Sequence, residues 1–171
     1  MAKGLGINSH INLLTLTCLP SGRQVVRKFS AHLMRKRTKA RELALQVLYE
    51  IDITHDEPHE ALDNFWQAHS EDNIEEEIKK FTGELVGGVA DNLEAIDKKI
   101  SQYAANWQLE RMAVVDRNVL RMSCFELMFR DDIPPKVSIN EAVELAKKYS
   151  GLEAGKFVNA ILDKIKLEKN K

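Results

Sequence analysis

The sequence is poor in cysteine, proline and glycine, with two, four and eight of them in 171 residues. Cys18 and Cys124 are too few and too far apart in the chain to predict a disulfide framework or a cysteine-based zinc site, which favours a reducing, cytoplasmic setting. No apolar run reaches the roughly 18 residues that a membrane span needs. With 44% apolar and 30% charged residues, the composition is typical of a globular domain.

Motifs for catalysis and metal binding are also missing. The glycine-containing stretch 82–88 lacks the lysine and hydroxyl residue of a phosphate-binding loop, and no nucleophile elbow occurs. His55 and His59 are four residues apart, but Pro58 lies between them and the glutamate that directly follows the first histidine of a zinc protease is missing, so we interpret both as surface histidines. The sequence therefore predicts no catalytic residue, no metal site and no cofactor.

Acidic residues are absent before Glu42. Nine basic residues precede it, which leaves 16 basic against 26 acidic residues in the remainder, a net charge of about −10. A basic arm on an acidic body indicates local contact with a polyanion. A targeting segment or an unstructured basic tail explains the charges equally well.

Residues 1–33 differ from everything that follows. Their apolar segment, 11–18, is short and rich in threonine, and its weak basic flank is atypical of a signal peptide. We expect a disordered or artefactual N-terminal extension, the latter arising from a start codon upstream of Met34, and one helical domain over residues 34–171.

From Thr38 onward the apolar residues recur at helical spacing. The first helix carries a stripe, and further helices are expected from Pro58, over Ile74–Asp91 and over Asn92–Ala105. The members of the first stripe are Ala40, Ala44, Val47, Leu48 and Ile51.

The segment Met112–Phe129 has twelve apolar residues among its eighteen, which predicts a central helix surrounded by others. Pro134 and Pro135 follow this segment and should end its helix, because proline cannot continue a helix and disfavours helical angles in the residue before it. Ser138 is then expected to cap a helix, with Glu141 completing a capping box. That helix should end at Gly151, and a last one should cover 153–167. No strand-like alternation occurs, so the predicted class is all-α with about seven helices.

The polar side of the first helix combines residue types that suit single-stranded RNA. An aromatic ring can stack on a base, cations can hold phosphates and an amide can read a base edge. Helical geometry places five residues opposite the apolar stripe: Arg35, Lys39, Glu42, Gln46 and Tyr49. Alternatively, Tyr49 packs against a neighbouring helix and the charges only solvate the surface.

The last helix offers a second candidate. Phe157 lies at the edge of its apolar stripe, and Lys156 and Asn159 lie off the stripe. Gly151 and Gly155 flank the start of this helix and leave its backbone open to an anion. A Phe in this position is otherwise part of the core.

Three segments of the chain resemble the NusB family of transcription antitermination factors, and the likeness extends from about residue 35 to 169. They are Arg-Glu-Leu-Ala-Leu-Gln-Val-Leu-Tyr at 41–49, Val-Ser-Ile-Asn-Glu-Ala-Val-Glu-Leu-Ala-Lys at 137–147, and Lys-Phe-Val-Asn-Ala-Ile-Leu-Asp at 156–163. Between them, 116–121 and 125–127 match the central helix of that family.

The resemblance implies two small packed helical bundles. It also implies binding to boxA RNA of ribosomal-RNA leader transcripts together with ribosomal protein S10 (NusE), within the RNA polymerase antitermination complex, and a possible homodimer in the free state. By position, the resemblance assigns RNA contacts to Arg35, Lys36, Arg37, Lys39, Arg41, Tyr49, Lys156, Phe157 and Asn159, and helical geometry adds Gln46. Thr38 interrupts the basic run, so fewer phosphate contacts are expected.

Two other functions fit the same sequence. One is a helical protein-interaction scaffold without RNA contact. The other is the helical module that precedes a ribosomal-RNA cytosine methyltransferase, although no catalytic domain follows in this chain.

Overall fold

The computed structural model describes the backbone of residues 22–104 and 108–169 and the side chains of 32–104 and 108–168. The predicted extension falls partly outside these residues, as does Cys18. Contacts divide the chain into two units, residues 1–35 and 36–171. The second unit contains the helices that carry the candidate site.

Seven α-helices and one short 3₁₀-helix account for the secondary structure of the described residues. No strand occurs among them, which confirms the all-α prediction. The elements are α1 (Gly22–Thr54), α2 (Pro58–Ala68), α3 (Glu76–Asp91), α4 (Leu93–Tyr103), the 3₁₀-helix (Leu109–Arg111), α5 (Val114–Phe129), α6 (Pro135–Ser150) and α7 (Leu152–Lys169).

Two predicted helix starts differ from the structure. Helix α1 begins at Gly22 rather than near Thr38, because no proline or further glycine interrupts 23–54 and a helix continues easily through such residues. Helix α6 begins at Pro135, since proline suits a first turn whose N–H groups have no helical partner. Ser138 is therefore not a cap. Its hydroxyl is buried and lies 2.9 Å from Ser123 Oγ.

Helix α5 is the centre of the domain, as its composition predicted. It packs against α3, α4, α6 and α7, and every residue from Asn118 to Leu127 except Arg121 is buried. Burial raises the pKa of Cys124 to about 12, so this thiol is a packing group without nucleophilic reactivity at neutral pH.

A glycine allows α3 and α5 to approach closely. A Cβ atom at Gly88 would lie 2.0 Å from Cζ of Phe125, which is far inside van der Waals contact. Helix α3 continues past this point to Asp91, so the pair of glycines at 87 and 88 does not end the helix. The close approach seats the Phe125 ring directly on the α3 backbone.

A buried ion pair joins α1 to the core. Arg41 is 2% exposed, and its Nε donates to Oε1 of Glu126 at 2.8 Å. Its Nη1 lies 3.6 Å from Oε2 of Glu141, and its guanidinium lies 5.5 Å from the centroid of the Phe81 ring. Arg41 therefore contacts α3, α5 and α6 at once, and Glu141 serves this pair rather than a capping box.

Replacing Arg41 by alanine should lower the free energy of unfolding by about 3–5 kcal/mol, because it leaves the Glu126 carboxylate buried without its partner. Urea unfolding followed by circular dichroism measures the change. Lys39→Ala, on the exposed side of the same helix, should change it by no more than about 0.5 kcal/mol. Equal effects of the two substitutions would contradict a structural role for Arg41.

Candidate nucleic-acid interface

One side of α1 is open to solvent over several turns. Lys39, Gln46 and Tyr49 are exposed, and Glu42 beside them is half-buried. Tyr49 keeps 45% of its surface accessible, so its ring is available to a planar ligand. The apolar stripe on the other side, Ala40, Ala44, Val47 and Leu48, is buried, which explains why the polar residues point outward.

Most of the basic residues at the start of this face already have partners. The Nζ atom of Lys36 lies 2.6 Å from Oε2 of Glu75 and 2.9 Å from Oε2 of Glu77. Hydrogen bonds to Glu75 and Glu77 raise the pKa of Lys36, so it stays charged. Arg37 lies 3.3 Å from Asp132 Oδ2, and its guanidinium lies 5.0 Å from the centroid of the Phe81 ring.

The remaining predicted cations differ in accessibility. Lys39 is exposed, and no ion pair is recorded for it among the described side chains. Arg35 is also exposed, and it belongs to the first unit. Arg41 is in the core, where its guanidinium is sequestered by Glu126, so this burial argues against direct RNA contact through Arg41. Lys39 is the α1 cation best placed to meet a phosphate.

The predicted residues of α7 lie near its start. Lys156 is exposed and lies 2.7 Å from Glu153, in a solvated pair of the kind that contributes little stability. Phe157 is half-buried and packs partly against the core. Asn159 is exposed and its Nδ2 donates to Oδ2 of Asp163 at 2.9 Å. Phe157 thus combines both predicted roles, with one part in the core and the rest accessible.

Two ion pairs connect the exposed side of α1 to the end of α6 and the start of α5, which both lie next to the start of α7. Glu42 Oε1 lies 2.8 Å from Nζ of Lys148, in the last turn of α6. Asp52, one turn after Tyr49, lies 2.7 Å from Nη2 of Arg117, in the first turn of α5. Asp116, which precedes Arg117, and Ser150, two residues after Lys148, line a pocket together with Phe157. The α1 face and the start of α7 therefore approach the same end of α5.

A polar network fixes this end of α5. Asp52 accepts hydrogen bonds from Arg117 and Asn118, and Arg121 lies 3.3 Å from its Oδ1 atom. Burial of the Asp52 carboxyl opposes its ionisation, but the hydrogen bond from Arg117 and the charge of Arg121 outweigh it, and the pKa of Asp52 lies below its ordinary value. Asp52 is thus held as a carboxylate.

Sequence reasoning did not identify this network or Asp116 as part of a site. A signal was present, because Asp116, Arg117 and Asn118 are consecutive polar residues at the start of an otherwise apolar helix. Three such residues entering a buried element need partners, and the structure supplies them from α1 for the second and third.

His55 and His59 are both exposed, as predicted. Among the described side chains, no three of His, Cys, Asp or Glu are grouped in a way that could hold a metal ion. Over the same part of the chain, every helix is too short or too polar to cross a membrane.

The sequence profile of the NusB family matches residues 38–166. Among curated proteins, the transcription antitermination protein NusB of Anaeromyxobacter dehalogenans (strain 2CP-1) is 49% identical over 130 residues, which cover 76% of this chain and 89% of that protein. NusB of Myxococcus xanthus is 45% identical over 139 residues, covering 81% and 99% of the two chains.

Solved structures show the same similarity. T. maritima NusB is 37% identical with a TM-score of 0.69, covering 77% of this chain and 91% of that one. A chain in the crystal structure of the antitermination factors NusB and NusE in complex with double-stranded RNA is 33% identical with a TM-score of 0.70, covering 79% and 98%. The profile match, the curated relatives and the shared fold agree, and the chain belongs to the NusB family.

Proposed function

We propose that the chain is a transcription antitermination factor that binds boxA-type RNA of ribosomal-RNA leader transcripts together with ribosomal protein S10 (NusE). It thereby promotes processive elongation by RNA polymerase in the cytoplasm. Family membership supports the role, and the structure of related NusB and NusE with RNA supports the partners. The observation that carries the RNA contact is the exposure of Tyr49 on the same side of α1 as Lys39 and Gln46, at the end of α5 that Phe157 also approaches.

The protein acts by binding and not by turnover. Tyr49 and the accessible part of Phe157 stack on unpaired bases, since every base offers a face to an aromatic ring. Lys39 and Lys156 hold phosphates, while the side-chain amides of Gln46 and Asn159 hydrogen-bond base edges. Arg41 contributes indirectly, because its core ion pair holds the helix that presents the first three of these groups.

The partner protein would meet a different kind of surface. Residues 42–171 carry a net charge of about −10, which suits a basic ribosomal protein. A scaffold without RNA contact remains the second candidate, and the RNA titrations below separate the two.

Tyr49→Ala should weaken binding of single-stranded boxA RNA by about 1–3 kcal/mol, or roughly 5- to 150-fold, because one stacked base loses its platform. Fluorescence anisotropy with labelled RNA, with and without NusE, measures the affinity. Phe129→Ala is the matched control, since Phe129 is similarly exposed at the opposite end of α5. Unchanged affinity in the Tyr49 variant would exclude stacking on this ring, and stronger binding of duplex than of single strand would exclude the single-strand mechanism.

RNA affinity should fall about fifty-fold between roughly 50 and 200 mM salt if about four phosphates are neutralised. In that case the logarithm of the binding constant falls with the logarithm of the salt concentration with a slope near −3. Lys39→Ala should make the slope shallower by about 0.7. A salt titration of each protein tests both expectations. A slope near zero would point to the scaffold function instead.

Glu77→Gln should strengthen RNA binding by about two- to threefold, because it frees part of the Lys36 charge for a phosphate. Glu76→Gln removes the same charge from the same run, but no contact of Glu76 with Lys36 is recorded among the described side chains. The same anisotropy titration compares them. If both variants gain equally, the effect is general repulsion and Lys36 is not released.

A further inference from the structure

Three aromatic side chains are exposed among the described residues. Tyr49 is on the polar side of α1, Phe129 is the last residue of α5, and Tyr149 is in the last turn of α6. Tyr149 keeps 42% of its surface accessible, almost as much as Tyr49. Neither the helical pattern nor the family resemblance gave Tyr149 a role, so its position relative to the other two rings is informative.

Two contacts of Lys148 place the Tyr149 ring close to α1. The Nζ atom of Lys148 lies 2.8 Å from Oε1 of Glu42 and 5.1 Å from the centroid of the Tyr149 ring. Because both distances start at the same atom, the ring centroid lies within about 8 Å of the Glu42 carboxylate. Glu42 and Tyr49 are about two helical turns apart on one side of α1. Both tyrosine rings therefore border this side of the helix.

The pair of Glu42 and Lys148 also prepares the surface for a phosphate. Hydrogen bonding to Glu42, and to a smaller extent to Tyr149, raises the pKa of Lys148, so the ammonium stays charged at neutral pH. The pair neutralises an acidic residue that would otherwise repel a phosphate, while the Lys148 side chain is still 52% accessible. A ring that stacks on a base beside a cation that holds the backbone is the combination that binds single-stranded nucleic acid.

The residues after Tyr149 lead from α1 toward α7. Ser150 lines the same pocket as Phe157, at the start of α7. Helix α6 ends here because Gly151 has a φ of 100°, a left-handed conformation that favours glycine, and α7 begins at the next residue. Tyr149 thus lies between the two regions for which RNA contacts are proposed, and a strand that reaches from one to the other passes its ring.

We propose that Tyr149 is a further stacking platform of the RNA interface and binds a base other than the one that stacks on Tyr49. Lys148 orients this ring through its pair with Glu42 and holds a phosphate next to the stacked base. The inference rests on the proposed RNA-binding function and extends the interface to the end of α6.

A series of abasic RNAs tests this platform. Each base of a fluorescent single-stranded boxA RNA is removed in turn, and anisotropy measures binding to the unaltered full-length protein, to Tyr149→Ala and to Tyr49→Ala. Tyr149→Ala should weaken binding of the intact RNA by about five- to 150-fold, because one stacked base loses its ring. At one position, base removal should weaken binding to the unaltered protein by a similar factor and have no further effect on Tyr149→Ala. That position should differ from the one that has no further effect on Tyr49→Ala.

Three further variants separate stacking from other roles of this side chain. Tyr149→Phe keeps the ring and should bind within about twofold of the unaltered protein, whereas Tyr149→Leu keeps apolar bulk without a ring face and should bind as weakly as Tyr149→Ala. Phe129→Ala removes the third exposed ring, in the last turn of α5, and should leave the affinity unchanged. Thermal melts establish that each variant is folded.

The outcomes distinguish this inference from the proposed function. If Tyr49→Ala loses affinity but Tyr149→Ala and Tyr149→Leu do not, the further platform is overturned and the function stands. The platform is also overturned if Tyr149→Leu binds as well as Tyr149→Phe, if the same base is silent in both alanine variants, or if Tyr149→Ala weakens binding to NusE without RNA. Absence of RNA binding by the unaltered protein, with and without NusE, overturns both.

Discussion

The ion pair between Arg41 and Glu126 sets the orientation of residues 36–54 of α1 on the other helices of the second unit. A guanidinium and a carboxylate that are both almost fully buried must remain paired, because either alone would be costly in the interior. Since α1 is a rigid helix, fixing Arg41 also fixes the direction in which its other residues point. Lys39, Gln46 and Tyr49 are exposed as a consequence of that constraint and of the buried stripe beside it.

The basic character of the N-terminal segment is partly used within the protein. Lys36 binds Glu75 and Glu77, Arg37 contacts Asp132 and the Phe81 ring, and Arg41 is in the core. These positive charges are therefore partly neutralised by contacts within the protein, and they contribute less to a long-range attraction for polyanions. In the proposed function, RNA recognition therefore depends more on ring stacking and hydrogen bonding than a count of basic residues implies, which favours discrimination between sequences over general affinity.

Pairs of acidic and basic residues also hold the exposed side of α1 against its neighbouring helices. Asp52, Arg117 and Asn118 tie α1 to α5, and Glu42 and Lys148 tie it to α6. Arg117 and Asn118 thus enter the buried helix with their polar groups paired to α1.

Much of the architecture was readable from the sequence. Apolar periodicity identified the helices, and the composition of 112–129 identified α5 as central, because a helix that is apolar on most sides must be surrounded. Local patterns were less reliable at helix starts. Ser138 and Glu141 matched a capping box, yet Pro135 could begin the helix earlier, and both side chains then took tertiary partners.

By itself the sequence determined the all-α class, the central helix and the family, because these depend on local spacing and on residue identity, whereas it left open whether the ring of Tyr49 is exposed. Only the tertiary structure decided which cations are accessible. Arg41 and Lys39 are both basic residues of one short segment, but Arg41 is paired with Glu126, 85 residues further along the chain, whereas Lys39 is exposed. The tertiary structure also decided that Asp116 lines a pocket with Phe157. Contacts between residues distant in the chain follow from helix packing, which no local pattern encodes.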